Sequence, residues 1–114
     1  SNPRPKGSIA PIATWTPHSS MNGVALRPET SPLPGGNTTV YATVYGSWNS
    51  IVPRGHEIVQ IDLDANNGEV IATTSVFAED LGTPLPIAFH PNGDLYFAVF
   101  GSNGKLYKIT ATLT

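Results

Sequence analysis

One part of this sequence occurs twice, and that repeat limits the possible folds more than any other feature does. The matching segments are residues 24–28 with 87–91, 40–47 with 95–102, and 58–61 with 106–109. A short unit that recurs along a chain is typical of architectures in which successive units stack and bury a continuous core. The chain is therefore expected to contain two copies of one small supersecondary unit.

The repeated unit has the alternation of a β-structure. Apolar and polar residues alternate with period two in runs rich in β-branched and aromatic residues, as in half-buried strands. The runs cover residues 9–15, 23–26, 38–45, 57–63, 69–77, 86–89, 94–100 and 105–109. The 11 Gly and 11 Pro fall largely between these runs, where turns need them. With no helical periodicity, the sequence predicts an all-β fold.

The order of the runs predicts β-propeller blades. Each unit has an inner strand, a second strand that contains Tyr, a Gly-Ser loop and a third strand, and residues 69–77 give the first unit a fourth. Residues 9–15 are expected to be the outer strand of a preceding blade. We therefore predict a single propeller fragment over residues 1–114, with the first repeat in 9–77 and a second, incomplete repeat in 84–114.

Two blades cannot close a ring, since about four are the usual minimum. Both end faces of such a fragment would be apolar and exposed, so we expect the remaining blades on another chain or on copies of this one.

The two units differ in their loops. The first has residues 29–39 where the second has only 92–94, and it has 48–57 where the second has only 103–105. In a propeller the 48–57 insertion emerges on the same face as residues 16–20 and 81–84, and loops on a rigid scaffold commonly carry binding residues. This insertion is the best functional candidate.

Composition excludes some partners and indicates a compartment. A net charge of -2, with six Lys and Arg spread along the chain, does not favour nucleic-acid binding. No apolar run reaches the roughly 18 residues that a membrane span needs. Cysteine is absent, which rules out a disulfide framework. Asn37 begins an N-glycosylation sequon, Asn-Thr-Thr, so we expect a secreted, extracellular glycoprotein.

Three segments resemble a known family. They are Pro-His-Ser-Ser at 17–20 before Gly-Val-Ala at 23–25, Tyr-Gly-Ser-Trp-Asn at 45–49 continuing to Pro-Arg-Gly at 53–55, and Pro-Leu-Pro-Ile-Ala at 84–88 through Asn-Gly-Asp-Leu-Tyr at 92–96. Over roughly residues 10 to 110 the chain is similar to the C-terminal part of the soluble, pyrroloquinoline-quinone (PQQ)-dependent glucose/sorbosone and pyranose dehydrogenases, which are six-bladed β-propellers.

This resemblance implies an oxidoreductase that transfers a hydride from a sugar to PQQ, held with Ca²⁺ over the centre of the propeller. It implies a catalytic role for His18 and cofactor contacts from Tyr45, Trp48, Asn49 and Arg54. Activity is expected only within a larger assembly and not from the isolated chain. The family motif usually has His at the position of Tyr45 and Arg at the position of Ser50, and Ser lacks the bidentate fork that Arg offers to carboxylates.

Other interpretations of these residues stay open. His18 could instead pack within its loop, while Tyr45 and Trp48 could pack between blades. Residues 62–69 have the oxygen ligands of a calcium loop but are better explained as a polar turn between strands. His56 and His90 are expected to be surface residues.

Two further functions are possible for the whole chain. One is a non-catalytic carbohydrate-binding propeller, assembled from several copies or with another chain, which the residues at 45 and 50 favour. The other is a scaffold that kept the fold without a ligand.

Overall fold

The computed structural model describes residues 6–7, 10–15, 19–46, 55–101 and 103–111. These residues contain seven strands and no helix, and therefore no helix of the length and apolarity that a membrane crossing requires. The strands are β1 (Met21–Leu26), β2 (Thr39–Val44), β3 (Glu57–Asn66), β4 (Glu69–Ala78), β5 (Pro84–Phe89), β6 (Leu95–Val99) and β7 (Lys105–Ile109).

The strands form two antiparallel sheets, each connected as a simple meander. The first sheet has the order β1-β2-β3-β4, and the second has the order β5-β6-β7. Both sheets begin with the same irregularity, since the register of the first strand pair shifts between Met21 and Gly23 and again between Pro84 and Ile87. The all-β prediction is confirmed, and the two repeats of the sequence are two sheets of equivalent connectivity. The two sheets do not close into a ring.

The longest hairpin ends in a two-residue turn. Asn67 and Gly68 join β3 to β4 with φ angles of 52° and 83°. Positive φ at both central residues suits the right-handed twist of the flanking strands, and Asn-Gly is the preferred pair for such turns. Residues 62–69 are thus hairpin ends and a polar turn, as the sequence indicated.

The main core lies between the two sheets. One face of the first sheet, called its front face, carries Tyr41, Thr43 and Ile58, which are all completely buried. It packs on the back face of the second sheet, which carries Leu95 and Phe97. The ring of Tyr41 lies edge-on to Phe77 at a centroid distance of 4.9 Å and to Phe89 at 5.4 Å, the geometry that aromatic pairs prefer.

The sheets come closest where β1 passes β5. A Cβ on Gly23 would lie 2.4 Å from the Leu85 carbonyl oxygen and 2.7 Å from the Thr43 hydroxyl, so only glycine fits there. The Thr43 hydroxyl donates to the Leu85 carbonyl at 2.6 Å and accepts from the Gly23 N–H at 2.9 Å. One buried hydroxyl therefore satisfies backbone groups of both sheets, where an unpaired group would be costly.

The loop between β1 and β2 forms a second bridge between the sheets. Ser31 is buried and donates from its hydroxyl to the Gly93 carbonyl at 2.7 Å, and Thr30 donates to the Pro91 carbonyl at 2.7 Å. Leu33 is buried in the core between the sheets. The Pro- and Gly-rich excursion is thus an ordered strap across the β5–β6 turn.

Seven of the eight predicted strands occur, while residues 10–15 form none. Pro11 has no N–H to give to a ladder, and this segment instead lies on the back face of the first sheet. There Ala13 and Trp15 pack against Ala42, Val44, Val59 and Ile61. The Trp15 indole N–H donates to a carboxylate oxygen of Glu57 at 3.0 Å, which fixes the ring on the sheet.

Candidate functional site

The candidate site lies at the end of the sheets where β2 and β6 terminate. Tyr45 follows β2, and its backbone N–H donates to the carbonyl of Ser20, just before β1, at 2.8 Å. Phe100 follows β6, and its N–H donates to the carbonyl of Thr83, just before β5, at 2.9 Å. The same hydrogen bond thus recurs in both repeats, and it places two aromatic residues at equivalent positions.

The rings of these two residues lie side by side. Their centroids are 6.3 Å apart, with an angle of 53° between the planes. The Phe100 side chain is 63% exposed, and Tyr45 is half-buried. A flat exposed ring beside a ring with a polar hydroxyl is an arrangement that sugars and planar cofactors both contact well.

A histidine joins the two sheets behind this pair. His56 accepts the Leu81 N–H at its carbonyl and donates its own N–H to the Val44 carbonyl, both at 2.9 Å. Its ring nitrogen Nδ1 lies 2.6 Å from the carbonyl oxygen of Gly82, which can only accept, so Nδ1 carries the proton. In the neutral tautomer Nε2 is then free to accept.

The backbone conformation at His56 and at Gly46 allows this contact. His56 has φ of 65°, which is uncommon for a residue with a side chain. A Cβ on Gly46 would lie 2.3 Å from the imidazole ring, so a glycine is required opposite it. His56 was expected to be a surface residue; the structure shows it half-buried, with its ring joining the start of β3 to the linker before β5.

The loop ends that were expected to share a face do so. Gly46, where the insertion leaves β2, donates its N–H to the Ser19 carbonyl at 2.8 Å. His56, where the insertion returns, contacts Leu81 and Gly82 as described. Residues 19–20, the two flanks of the insertion and residues 81–83 therefore form one continuous surface.

Of the five residues that the sequence assigned to a cofactor site, Tyr45 is placed by the structure at this end. His18, Trp48, Asn49 and Arg54 lie outside the described residues, as does Ser50. Lys105 begins β7 opposite Val99 and adds an exposed cation to the same end. A lone Lys at the start of a strand is usually a solvated surface charge, so the pattern of the sequence did not single it out.

Among the described residues no three His, Cys, Asp or Glu side chains gather as metal ligands would. At this end the described residues carry the Lys105 ammonium and the Tyr45 hydroxyl. The remaining predicted contacts belong to the part of the insertion that is not described.

A small cavity adjoins this end on the back of the first sheet. It has a volume of about 220 Å³, and Trp15, Ser20, Met21 and Ile61 are among its lining residues. The sequence did not indicate it, because it forms only when residues 10–15 fold onto the sheet.

The sequon lies at the opposite end of the first sheet, just before β2. Asn37 is exposed, and its amide donates to the Glu29 carboxylate at 3.0 Å. Thr39 is buried and donates its hydroxyl to Asp62 at 2.6 Å. A glycan on Asn37 would therefore leave the candidate site uncovered.

Comparison with known proteins returns no match to a family model, to a curated protein or to a solved structure.

Proposed function

We propose that this chain is two consecutive blades of a β-propeller and works within a larger ring that oxidises a sugar with PQQ. The observation that carries the proposal is the insertion after Tyr45, whose two flanks are held against residues 19–20 and 81–83 at one end of two stacked, equivalent sheets. In open stacks of such units, binding residues concentrate in the loops of one end.

In this proposal each residue of the candidate site has a role that its chemistry allows. Arg54 and Lys105 would neutralise the carboxylates of the quinone, and Tyr45 and Trp48 would supply apolar rings to hold it. Asn49 would donate a hydrogen bond to the cofactor. His18 would accept the proton of the sugar hydroxyl while the carbon that bears this hydroxyl gives up a hydride. The bound quinone, with Ca²⁺, supplies the hydride acceptor. Activity requires the assembled ring, since one fragment provides only a sector of the site.

Cofactor binding and turnover test this proposal together. The assembled protein is titrated with PQQ and Ca²⁺ while tryptophan fluorescence is recorded, and dye reduction is then followed with a panel of aldoses. We expect Arg54→Ala to weaken PQQ binding at least about tenfold, as for loss of a hydrogen bond to a charged group, and His18→Ala to slow turnover while leaving PQQ bound.

His90→Ala is the matched control, because His90 is exposed in the β5–β6 turn at the far end of the second sheet. Absence of any PQQ-dependent change in fluorescence would reject the dehydrogenase proposal.

The exposed Phe100 ring beside Tyr45 favours a second function, carbohydrate binding without catalysis. Tyr45 and Ser50, which replace the usual His and Arg of the dehydrogenases, agree with it. Calorimetric titration with sugars in the absence of PQQ tests it. Phe100→Ala should abolish binding, whereas Phe100→Tyr keeps the ring and should preserve it.

We further propose that the protein is secreted and carries a glycan on Asn37. The exposed Asn37 side chain is accessible for glycosylation. Because it lies far from the candidate site, a glycan there would leave that site uncovered. A mass shift on treatment with a glycosidase that removes N-linked glycans tests it.

A further inference from the structure

Each sheet has one face that does not pack in the core between the sheets. Both of these outer faces carry exposed apolar side chains. On the back of the first sheet Val24 and Leu26 are each 62% exposed. On the front of the second sheet Leu106 is 70% exposed and lines a shallow apolar groove with Ala88 and Ala98. Apolar surface at both ends of a stack indicates unfilled packing positions.

The repeat shows what each outer face is equivalent to. Val24, Leu26 and Val40 on the back of the first sheet match Ile87, Phe89 and Leu95 on the back of the second, which pack in the core. Ala88, Tyr96 and Leu106 on the front of the second sheet match Ala25, Tyr41 and Ile58 on the front of the first. The exposed β1 side of the first sheet's back and the front of the second sheet therefore correspond to the two sides of the contact that already exists inside the chain.

The segment before β1 adds a second complementarity. In the described residues the second sheet has three strands, and β7 is its edge. Residues 10–15 belong to no sheet and lie on the back of the first sheet through Ala13 and Trp15. The end of β4 is the equivalent of residues 10–15 in the contact inside the chain. There Phe77 packs in the core between the sheets, shortly before the chain enters β5. Within the described residues, a segment outside any sheet thus precedes β1, and β7 presents an open strand edge.

We propose that a second copy of this chain docks head to tail, with the front of its second sheet on the back of the first sheet. Residues 10–15 then lie beside the exposed β7 edge of the docked copy and serve as its fourth strand. This heterologous contact can repeat, because each new copy presents the same face, and it forms a ring when the rotation between copies closes. This inference rests on the propeller assignment proposed above and names the partner within it.

The contact between copies differs from the contact inside the chain because β5 takes the place of β1 in it. Pro86 and Ala98 stand where the first sheet has Gly23 and Thr43. A proline Cβ cannot approach a neighbouring backbone as Gly23 approaches Leu85, and Ala98 has no hydroxyl to bridge the strands. Association between copies is therefore weaker than the packing within one copy, and it depends on concentration.

Two complementary variants test the head-to-tail arrangement. Val24→Glu places a charge on the back face and Leu106→Glu places one on the front face, so each should be a folded 12.1 kDa monomer by sedimentation velocity. A charge in an apolar contact should weaken association more than about 100-fold. Both positions are mostly exposed within one copy, so folding should survive, and the circular dichroism spectrum checks it.

Mixing the two monomeric variants gives the decisive result. The intact front of the Val24→Glu chain can still dock on the intact back of the Leu106→Glu chain, so the mixture should form a one-to-one pair of about 24 kDa. Ile71→Glu, on the exposed outer strand β4, is the control and should assemble like the unmodified chain.

A mixture that stays monomeric, or single variants that assemble normally, would overturn the head-to-tail contact. The dehydrogenase proposal would be untouched by that outcome, because its readout is the binding of PQQ. Conversely, a ring that assembles without binding PQQ would reject the activity and leave the contact in place.

Discussion

Gly23→Ala should loosen the junction between the two sheets. The added methyl would lie 2.4 Å from the Leu85 carbonyl oxygen, which is backbone and cannot turn away. Overpacking of this kind costs about 1–3 kcal/mol. Disruption of the Thr43–Leu85 hydrogen bond adds about 1 kcal/mol, and the lower entropy of the unfolded Ala chain returns about 0.5–1 kcal/mol. We therefore expect a net loss of about 1–3.5 kcal/mol.

Urea denaturation followed by circular dichroism measures this loss. With a slope of about 2 kcal/mol per molar urea, the midpoint should fall by about 1 M. Gly36→Ala is the matched control, since nothing lies within 4 Å of a Cβ there, and it should not lower the midpoint. Both variants are compared at one protein concentration. Equal midpoints for the two variants would refute the close approach of β1 and β5.

Three further outcomes follow from the described contacts. Gly93→Ala would bring a Cβ within 2.4 Å of the Ser31 Cα at a φ of 98°, so we expect a loss of about 2–4 kcal/mol and faster proteolysis of the strap between β1 and β2. Burial raises the pKa of Tyr41 from 10.0 to about 12, against a smaller opposing effect of Arg27. Because the folded pKa is the higher one, the stability from this neutral phenol is complete below about pH 10 and is lost as the pH rises toward 12, which tyrosinate absorbance and denaturation at each pH should show. Trp15→Phe removes the N–H donated to Glu57; a loss of about 0.5–1.5 kcal/mol in urea denaturation is expected, and an unchanged midpoint would count against that contact.

The strands were predictable because apolar, β-branched and aromatic residues recur in them with period two. Burial alternates along β5 and β6, whereas both faces of β2 are covered, and the matching segments of the two repeats became equivalent strands. Residues 10–15 show the same alternation but form no strand. There the apolar residues record contact of an irregular segment with a sheet, which periodicity alone does not distinguish from a strand.

The candidate site was predictable in position more than in detail. Comparison of the repeats located the insertion after Tyr45 and the surface it shares with residues 81–83. The role of His56 was missed because it depends on a positive φ and on the approach of its ring to Gly46, which are tertiary features. A glycine at each end of the insertion, Gly46 and Gly55, is the signal that a close approach occurs there.

The mass of the unmodified chain in solution tests the central claim most directly, namely that copies of this chain fill the contacts on each other's outer faces. Light scattering is recorded on this chain alone from about 5 to 500 µM, a range that brackets a weak contact between copies. We predict a mass that rises with concentration to a plateau near 36 kDa, three times the 12.1 kDa of one chain. A mass of 12.1 kDa at every concentration would contradict the claim.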